Sequence, residues 1–274
     1  MKTIIVPTDF SPAAINATNY AADMALQVEA NILLLHVYQI PVAITDTPLI
    51  MVSVDELKED AEAKLDKARA ALEHVTSGKL KIKTEARLGI VTDELEDLCK
   101  TIQPFAVVMG TTGHSAIDRI IFGSNTLSVI KHLTWPVICV PRGKEYGAGI
   151  KKVGLACDYR EVEETTPFAM IRDFVNVFGA ELHILNVSTG NALPADLPKQ
   201  STLLESAFNQ LEPRFHFIEN SDIEDGINEF AEKNNIDLMI AIPKKHKLLQ
   251  GLFRPSSTRQ LVFESHVPVL CIHE

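Results

Sequence analysis

The stretch 110–126, GTTGHSAIDRIIFGSNT, holds the residues whose types and spacing best suit chemistry. Gly110 and Gly113 enclose two residues, and nine more lead to Gly123 and Ser124. An apolar run, FAVVM at 105–109, precedes the stretch, and a helical pattern, NTLSVIKHL, completes it. A strand feeding a glycine-rich loop that opens onto a helix suits phosphate. Glycine lets backbone N–H groups approach oxygens closely, and a helix start adds unpaired N–H groups and positive dipole. The loop holds no lysine, so it is not GxxxxGK[ST], and no GxGxxG follows the first apolar run. The same residues also read as a surface turn with Ser124 capping the helix. Of the ionisable residues His114, Asp118 and Arg119, Asp118 could orient a water and Arg119 could neutralise charge in phosphoryl transfer. A solvated loop face accounts for these two more simply, and no acidic metal pair is evident. The residues favour nucleotide binding over turnover.

Such a loop needs a scaffold, and the chain supplies one twice. The first half reads as strand 3–9, helix 12–28, strand 31–37, helix 55–75, strand 81–87, helix 91–102, strand 105–109, the glycine loop, helix 124–132 and strand 136–140. Helices are read from apolar spacing near 3.6, as in Leu57, Ala61, Leu65, Ala68 and Leu72. Strands are read from short, almost continuous β-branched runs, the pattern of a parallel sheet covered on both faces. The second half repeats the order: VGLACDY matches IIVPTDF, placing Asp158 opposite Asp9, and HVPVLCI matches TWPVICV, placing Pro268 opposite Pro136. RGKEYGAGIKK joins the copies, with Gly143, Gly147 and Gly149 supplying flexibility. Alternating strands and helices with right-handed crossovers imply α/β architecture: two tandem doubly wound five-stranded parallel-sheet domains, at 1–142 and 150–274.

Composition narrows the partners. A net charge of −10 argues against a general nucleic-acid binder, and no apolar run approaches the length needed to span a bilayer. Cys99, Cys139, Cys157 and Cys271 form no CxxC pair, and three of them lie in apolar strand-like runs, which suits a reducing cytoplasm.

The strand ending in Asp9, the strand ending in Val37 and the pattern Gly110-xx-Gly113-(nine residues)-Gly123-Ser124 resemble the universal stress protein family. Both halves resemble its unit, so the whole chain resembles a tandem member. The resemblance implies strand order 3-2-1-4-5 and an adenine nucleotide at the carboxyl ends of strands one and four, where open α/β sheets place ligands. It implies ATP, with or without Mg2+, in a nucleotide-dependent sensor or regulator of stress response. Carried over by position, Asp9 faces the nucleoside, Val37 meets adenine through its backbone, and Met109 and Gly110 lie beside the ribose. Gly113, Gly123, Ser124 and Asn125 match the phosphate loop and helix start. The set expected around the nucleotide is completed by Pro7, Thr8, His114 and Thr126. A slow ATPase or nucleotide-transferring enzyme, and a ligand-free scaffold, are the competing functions.

The second half departs from this pattern. Gly110, Gly113 and Gly123 are replaced by Ile242, Lys245 and Pro255, while Lys244, Lys245, His246, Lys247, Arg254 and Arg259 make the segment basic. It reads as a solvated basic loop or an altered anion site. His183 and His216 are expected as neighbours in the second sheet, as core residues and not zinc ligands. The apolar connection 40–57 reads as a lid, an interdomain or oligomer contact, or a loop folded onto its own domain. In dimers of the family the last strands commonly pair. PVICV and PVLCI are therefore expected to pair within the chain as a pseudo-dimer, with which a further homodimer is compatible.

Overall fold

The computed structural model describes residues 2–40, 53–111, 123–190, 196–243, 260–262 and 264–273. The loop residues Gly113, His114, Asp118 and Arg119, most of the apolar connection, and the basic segment from Lys244 to Arg259 lie outside the described residues.

The first half runs β1 (Thr3–Pro7), α1 (Pro12–Val28), β2 (Asn31–Tyr38), α2 (Val54–Val75), β3 (Ile82–Leu88), α3 (Val91–Ile102), β4 (Ala106–Gly110), α4 (Ser124–His132) and β5 (Val137–Val140). The second runs β6 (Lys152–Ala156), α5 (Val162–Thr165), α6 (Phe168–Phe178), β7 (Glu181–Ser188), α7 (Leu197–Phe208), β8 (Arg214–Glu219), α8 (Ile223–Asn234), β9 (Leu238–Ala241) and β10 (Val269–Cys271). Local chemistry explains the helix starts. Ser11 accepts from the Ala14 N–H and Pro12 opens α1, where its missing N–H costs nothing. Ser53 and Glu56 form a reciprocal capping box on α2. The counterpart of α1 in the second half is broken into α5 and α6, with Thr166 and Pro167 between them. Proline lacks the N–H that a continuous helix needs at that point.

Where two five-stranded sheets are expected, the strands form one ten-stranded sheet in the order β3-β2-β1-β4-β5-β10-β9-β6-β7-β8. All pairs are parallel except β5 with β10, which run antiparallel with Cys139 opposite Val269 and Val137 opposite Cys271. Side chains alternate between two apolar layers. Ile4 and Val6 enter the layer covered by α1, α2, α6 and α7, whereas Ile5 enters the one covered by α3, α4 and α8. Both layers cross from one half to the other. Phe105 stacks on Phe174 at 5.2 Å between centroids, and the Asn16 amide ties α1 to the chain leaving β5, donating to the Pro141 and Lys144 carbonyls at 3.1 and 3.2 Å.

Candidate functional site

The strand expected at 3–9 stops at Pro7, and the next residues form a tight turn. Thr8 Oγ1 accepts from the Phe10 N–H at 3.0 Å, Asp9 Oδ1 accepts from the Ser11 N–H at 3.0 Å, and Ser11 then caps α1. Phe10 adopts φ 63°, a left-handed conformation uncommon for a bulky residue. The turn leaves Asp9 exposed at the carboxyl end of the sheet, while Pro7 and Thr8 are buried. A carboxylate so placed can accept from sugar hydroxyls.

Backbone alternation along β2 determines what Val37 offers. Asn31 and Leu35 face β1: the Asn31 N–H donates to the Lys2 carbonyl at 2.9 Å and the Leu35 carbonyl accepts from the Thr8 N–H at 2.8 Å. Ile32 and Tyr38 face β3, bonding with Lys81 and Gly89. Val37 therefore turns its N–H and carbonyl toward the β1 side, past the last β1–β2 pair of Pro7 and Leu35. Among the described residues no backbone bond joins Val37 to β1. One donor and one acceptor thus border the crevice, the complement of a purine edge.

Gly110, at the end of β4, is fixed by space and not by φ. A Cβ there would collide with the backbone carbonyl of Ala13 in the first turn of α1. The Thr126 hydroxyl donates to the Gly110 carbonyl at 3.2 Å, which docks the first turn of α4 onto β4. That side chain is buried, so Thr126 offers only its backbone to the crevice. Met109 is buried as well.

The expectation that Ser124 caps α4 is corrected. Gly123 holds the cap position, with φ −57° and ψ 96°, and no side chain caps the helix. Ser124 is the first helical residue, and from there its side chain cannot make a cap's bond to the next turn. Helical geometry leaves the N–H groups of Ser124, Asn125 and Thr126 without intrahelical acceptors, while the Leu127 N–H already bonds the Gly123 carbonyl at 3.0 Å. Ser124 and Asn125 are exposed.

The cation in register with Val37 is Arg87 on β3, and it is already engaged. Its Nε donates to Glu85 at 2.7 Å and its Nη1 to Glu94 at 3.2 Å. Burial lowers the tendency of this guanidinium to stay charged, but the two carboxylates outweigh that and raise its pKa. With Arg87 engaged, the backbone N–H groups at the start of α4 are the donors that the described residues offer an anion here. Among the described residues no group of three or more His, Cys, Asp or Glu is placed to hold a metal ion.

Of the expected set, Asp9, Val37, Met109, Gly110, Gly123, Ser124, Asn125 and Thr126 lie at the strand ends and at the start of α4, with Pro7 and Thr8 leading into the turn. Gly113 and His114 lie outside the described residues. Sequence reasoning missed His36, whose Nδ1 lies 2.7 Å from the Thr8 carbonyl and whose ring packs on Phe10 at 4.7 Å. A signal existed: TDFS and CDYR repeat the acidic-aromatic pair in both halves.

The second half builds the same turn. Cys157 Sγ accepts from the Tyr159 N–H at 3.4 Å, Asp158 Oδ1 accepts from the Arg160 N–H at 3.1 Å, and Tyr159 has φ 55°. It closes differently. Tyr159 is fully buried and stacks on Phe217 at 5.6 Å, and the Gln200 carbonyl oxygen on α7 accepts from the Val162 N–H at 3.1 Å. Register puts Ile242 in the place of Gly110, since Val153 pairs with Leu238 as Ile4 pairs with Ala106.

The sequence pattern described as the Universal stress protein family matches residues 1–141 and again 149–273. A universal stress protein of Synechocystis sp. is 26% identical over 98% of this chain and 99% of its own length. One of Methanocaldococcus jannaschii is 28% identical over 146 residues, covering 53% of this chain and 84% of that protein. The crystal structure of a universal stress protein from Archaeoglobus fulgidus superposes with a TM-score of 0.72 at 19% identity, covering 99% of this chain and 98% of that one. That likeness concerns the fold. With both halves matched, the chain belongs to the universal stress protein family and carries two of its units in tandem.

Proposed function

We propose that the first half binds an adenine nucleotide, ATP with or without Mg2+, and that the second half does not. The observation that carries this reading is the convergence of three polar features at one end of the sheet. These are the exposed Asp9 carboxylate, the open backbone pair of Val37, and the first-turn N–H groups of α4 beside the side-chain-free Gly110. They suit ribose, base and phosphate in turn. The asymmetry is supported by Ile242, a branched side chain where the first half has Gly110, and by Tyr159, fully buried where Phe10 is only partly so.

The role is nucleotide sensing in the stress response, carried out in the cytoplasm by binding and not by efficient turnover. The chain works as an intramolecular pseudo-dimer of units spanning 1–142 and 150–274, a reading supported by the antiparallel β5–β10 pair. The direct test is to denature freshly purified protein, identify any nucleotide released, and measure ATP binding by calorimetry. Absence of bound nucleotide together with no heat of ATP binding would overturn the proposal in favour of a ligand-free scaffold. Sustained multiple-turnover phosphate release would favour a slow ATPase.

A further inference from the structure

The two halves solve one local problem with different residues. After the Thr8 N–H bonds the Leu35 carbonyl, the parallel ladder would continue with the Val37 N–H on the Thr8 carbonyl. That carbonyl is taken instead by the ring of His36, at 2.7 Å. A carbonyl can only accept, so Nδ1 carries the proton. In the second half the Cys157 N–H bonds the Leu185 carbonyl at 2.9 Å, and the Asn186 amide donates to the Cys157 carbonyl at 2.9 Å. Histidine is an aromatic ring and asparagine a short amide. What they share is one N–H donor at the third position from the end of equivalent strands, β2 and β7, aimed at the equivalent acceptor. The aromatic that follows each acidic residue sits at positive φ in both copies, so the turns are built alike around this bond.

We propose that His36 is a positioning residue for the base edge: by holding the Thr8 carbonyl, it stops the β1–β2 ladder one step early and leaves the Val37 N–H open to the purine, while the Phe10 N–H, the ladder partner of the Val37 carbonyl, is bonded to Thr8 Oγ1. The proposal rests on the nucleotide reading of the first half and adds a residue to it. The ring does not touch the ligand in this scheme. It acts by withholding the Thr8 carbonyl from Val37, and its packing on Phe10 holds the turn that presents Asp9. Any side chain that donates one N–H at this place should serve, as Asn186 does in the second half.

The experiment compares His36→Asn, which keeps a donor, with His36→Leu, which keeps bulk and loses it. Dissociation constants for ATP and for inorganic tripolyphosphate are measured by calorimetry on the full chain. His36→Leu should weaken ATP by roughly tenfold, the effect of one displaced hydrogen-bonded contact. Tripolyphosphate binding should be unchanged. His36→Asn should stay within about twofold of wild type for both, being a donor-for-donor replacement. Equal losses in both variants, or a matching loss for tripolyphosphate, would overturn the proposal. Amide exchange in ligand-free protein separates this idea from the nucleotide reading. The Val37 amide should exchange faster in wild type and His36→Asn than in His36→Leu, where the freed Thr8 carbonyl can capture it. If wild type binds neither probe, the nucleotide reading fails, and the Val37 amide still decides whether the clamp exists. Equal exchange in all three proteins refutes the clamp.

Discussion

Replacing Gly110 with alanine tests how closely the site depends on one missing side chain. The added methyl would meet the carbonyl carbon and oxygen of Ala13, which are backbone atoms that cannot swing aside. Gly110 does not have positive φ, so the substitution introduces no backbone strain and its whole cost is overpacking. One intruding methyl against fixed backbone costs about 1–3 kcal/mol. For a chain of this size that corresponds to a melting temperature lower by roughly 3–9 °C. The strain is relieved most easily by moving the first turn of α1 outward, since Ala13 belongs to it. That turn is tied through Ser11 to Asp9, so the carboxylate would shift relative to α4, which stays docked by Thr126. ATP affinity should therefore fall by about tenfold or more, equivalent to losing one well-placed polar contact. Differential scanning fluorimetry and calorimetry on the same preparation read both effects. The matched control is Ile242→Ala, which removes packing at the equivalent place in the second half and should lower the melting temperature while leaving ATP affinity unchanged. A Gly110→Ala protein with wild-type melting and wild-type affinity would show that α1 has slack, and the geometric argument would be wrong.

Further outcomes can be measured independently. Calorimetry should give about one ATP per chain, and Gly123→Val, which puts a branched side chain at the cap of α4, should abolish binding without changing secondary structure; two equivalent sites per chain would contradict the asymmetry. Val269→Lys combined with Cys271→Lys inserts two ammonium groups into fully buried positions on β10, so the Val137 and Cys139 amides, which face β10, should exchange faster while the β1–β2 ladder stays protected. Unchanged protection on β5 would refute the role given to this pair. The His183–His216 pair should make stability fall in acid. The rings are joined by an N–H···N bond of 3.1 Å, and their centroid separation of 5.2 Å at 9° places them edge to edge under Phe230. Burial, reinforced by the neighbouring ring and Arg214, pushes the pKa of His183 below its ordinary value against the pull of Glu181; burial and Arg214 do the same to His216. A lowered folded-state value means that the unfolded chain binds more protons, so stability is full above about pH 6.5 and is lost as pH falls below it. Urea midpoints should drop from pH 7.5 to pH 5.5 in wild type and drop less in His216→Gln; identical slopes would remove the pair from the explanation.

The fold was legible because its causes are local and repeated. Runs such as IIV at 4–6 and NILLLHV at 31–37 are apolar on both faces, and only a covered parallel sheet uses such runs. The glycine pattern begins where β4 ends, at Gly110. What stayed hidden depends on contacts rather than composition. No residue in TDFS announces a left-handed phenylalanine, because that conformation is held by bonds from Thr8 and Asp9 and by the ring of His36. The cap of α4 shifted from Ser124 to Gly123 because the helix start is set by docking Thr126 onto Gly110, a contact sixteen residues apart in sequence. Pro167 was readable as a break in the helix after β6 and was passed over.

The two halves carry different burdens, and this explains how one could lose its glycines and keep its place in the molecule. A five-stranded parallel sheet exposes its last strand, and β5 with its apolar VICV would be a template for wrong pairing. β10 covers that edge, and doing so needs only a short apolar strand held in register by β9. Packing between the halves includes Phe105 on Phe174, on the α1–α6 side, and Tyr146 of the linker packs edge-on against Tyr20. The glycines of the first half, by contrast, answer to a steric demand at Ala13 and to whatever approaches α4. The demand at Gly110 thus belongs to the first half alone in its origin: it is set by the Ala13 carbonyl on α1, and not by the pairing of β5 with β10.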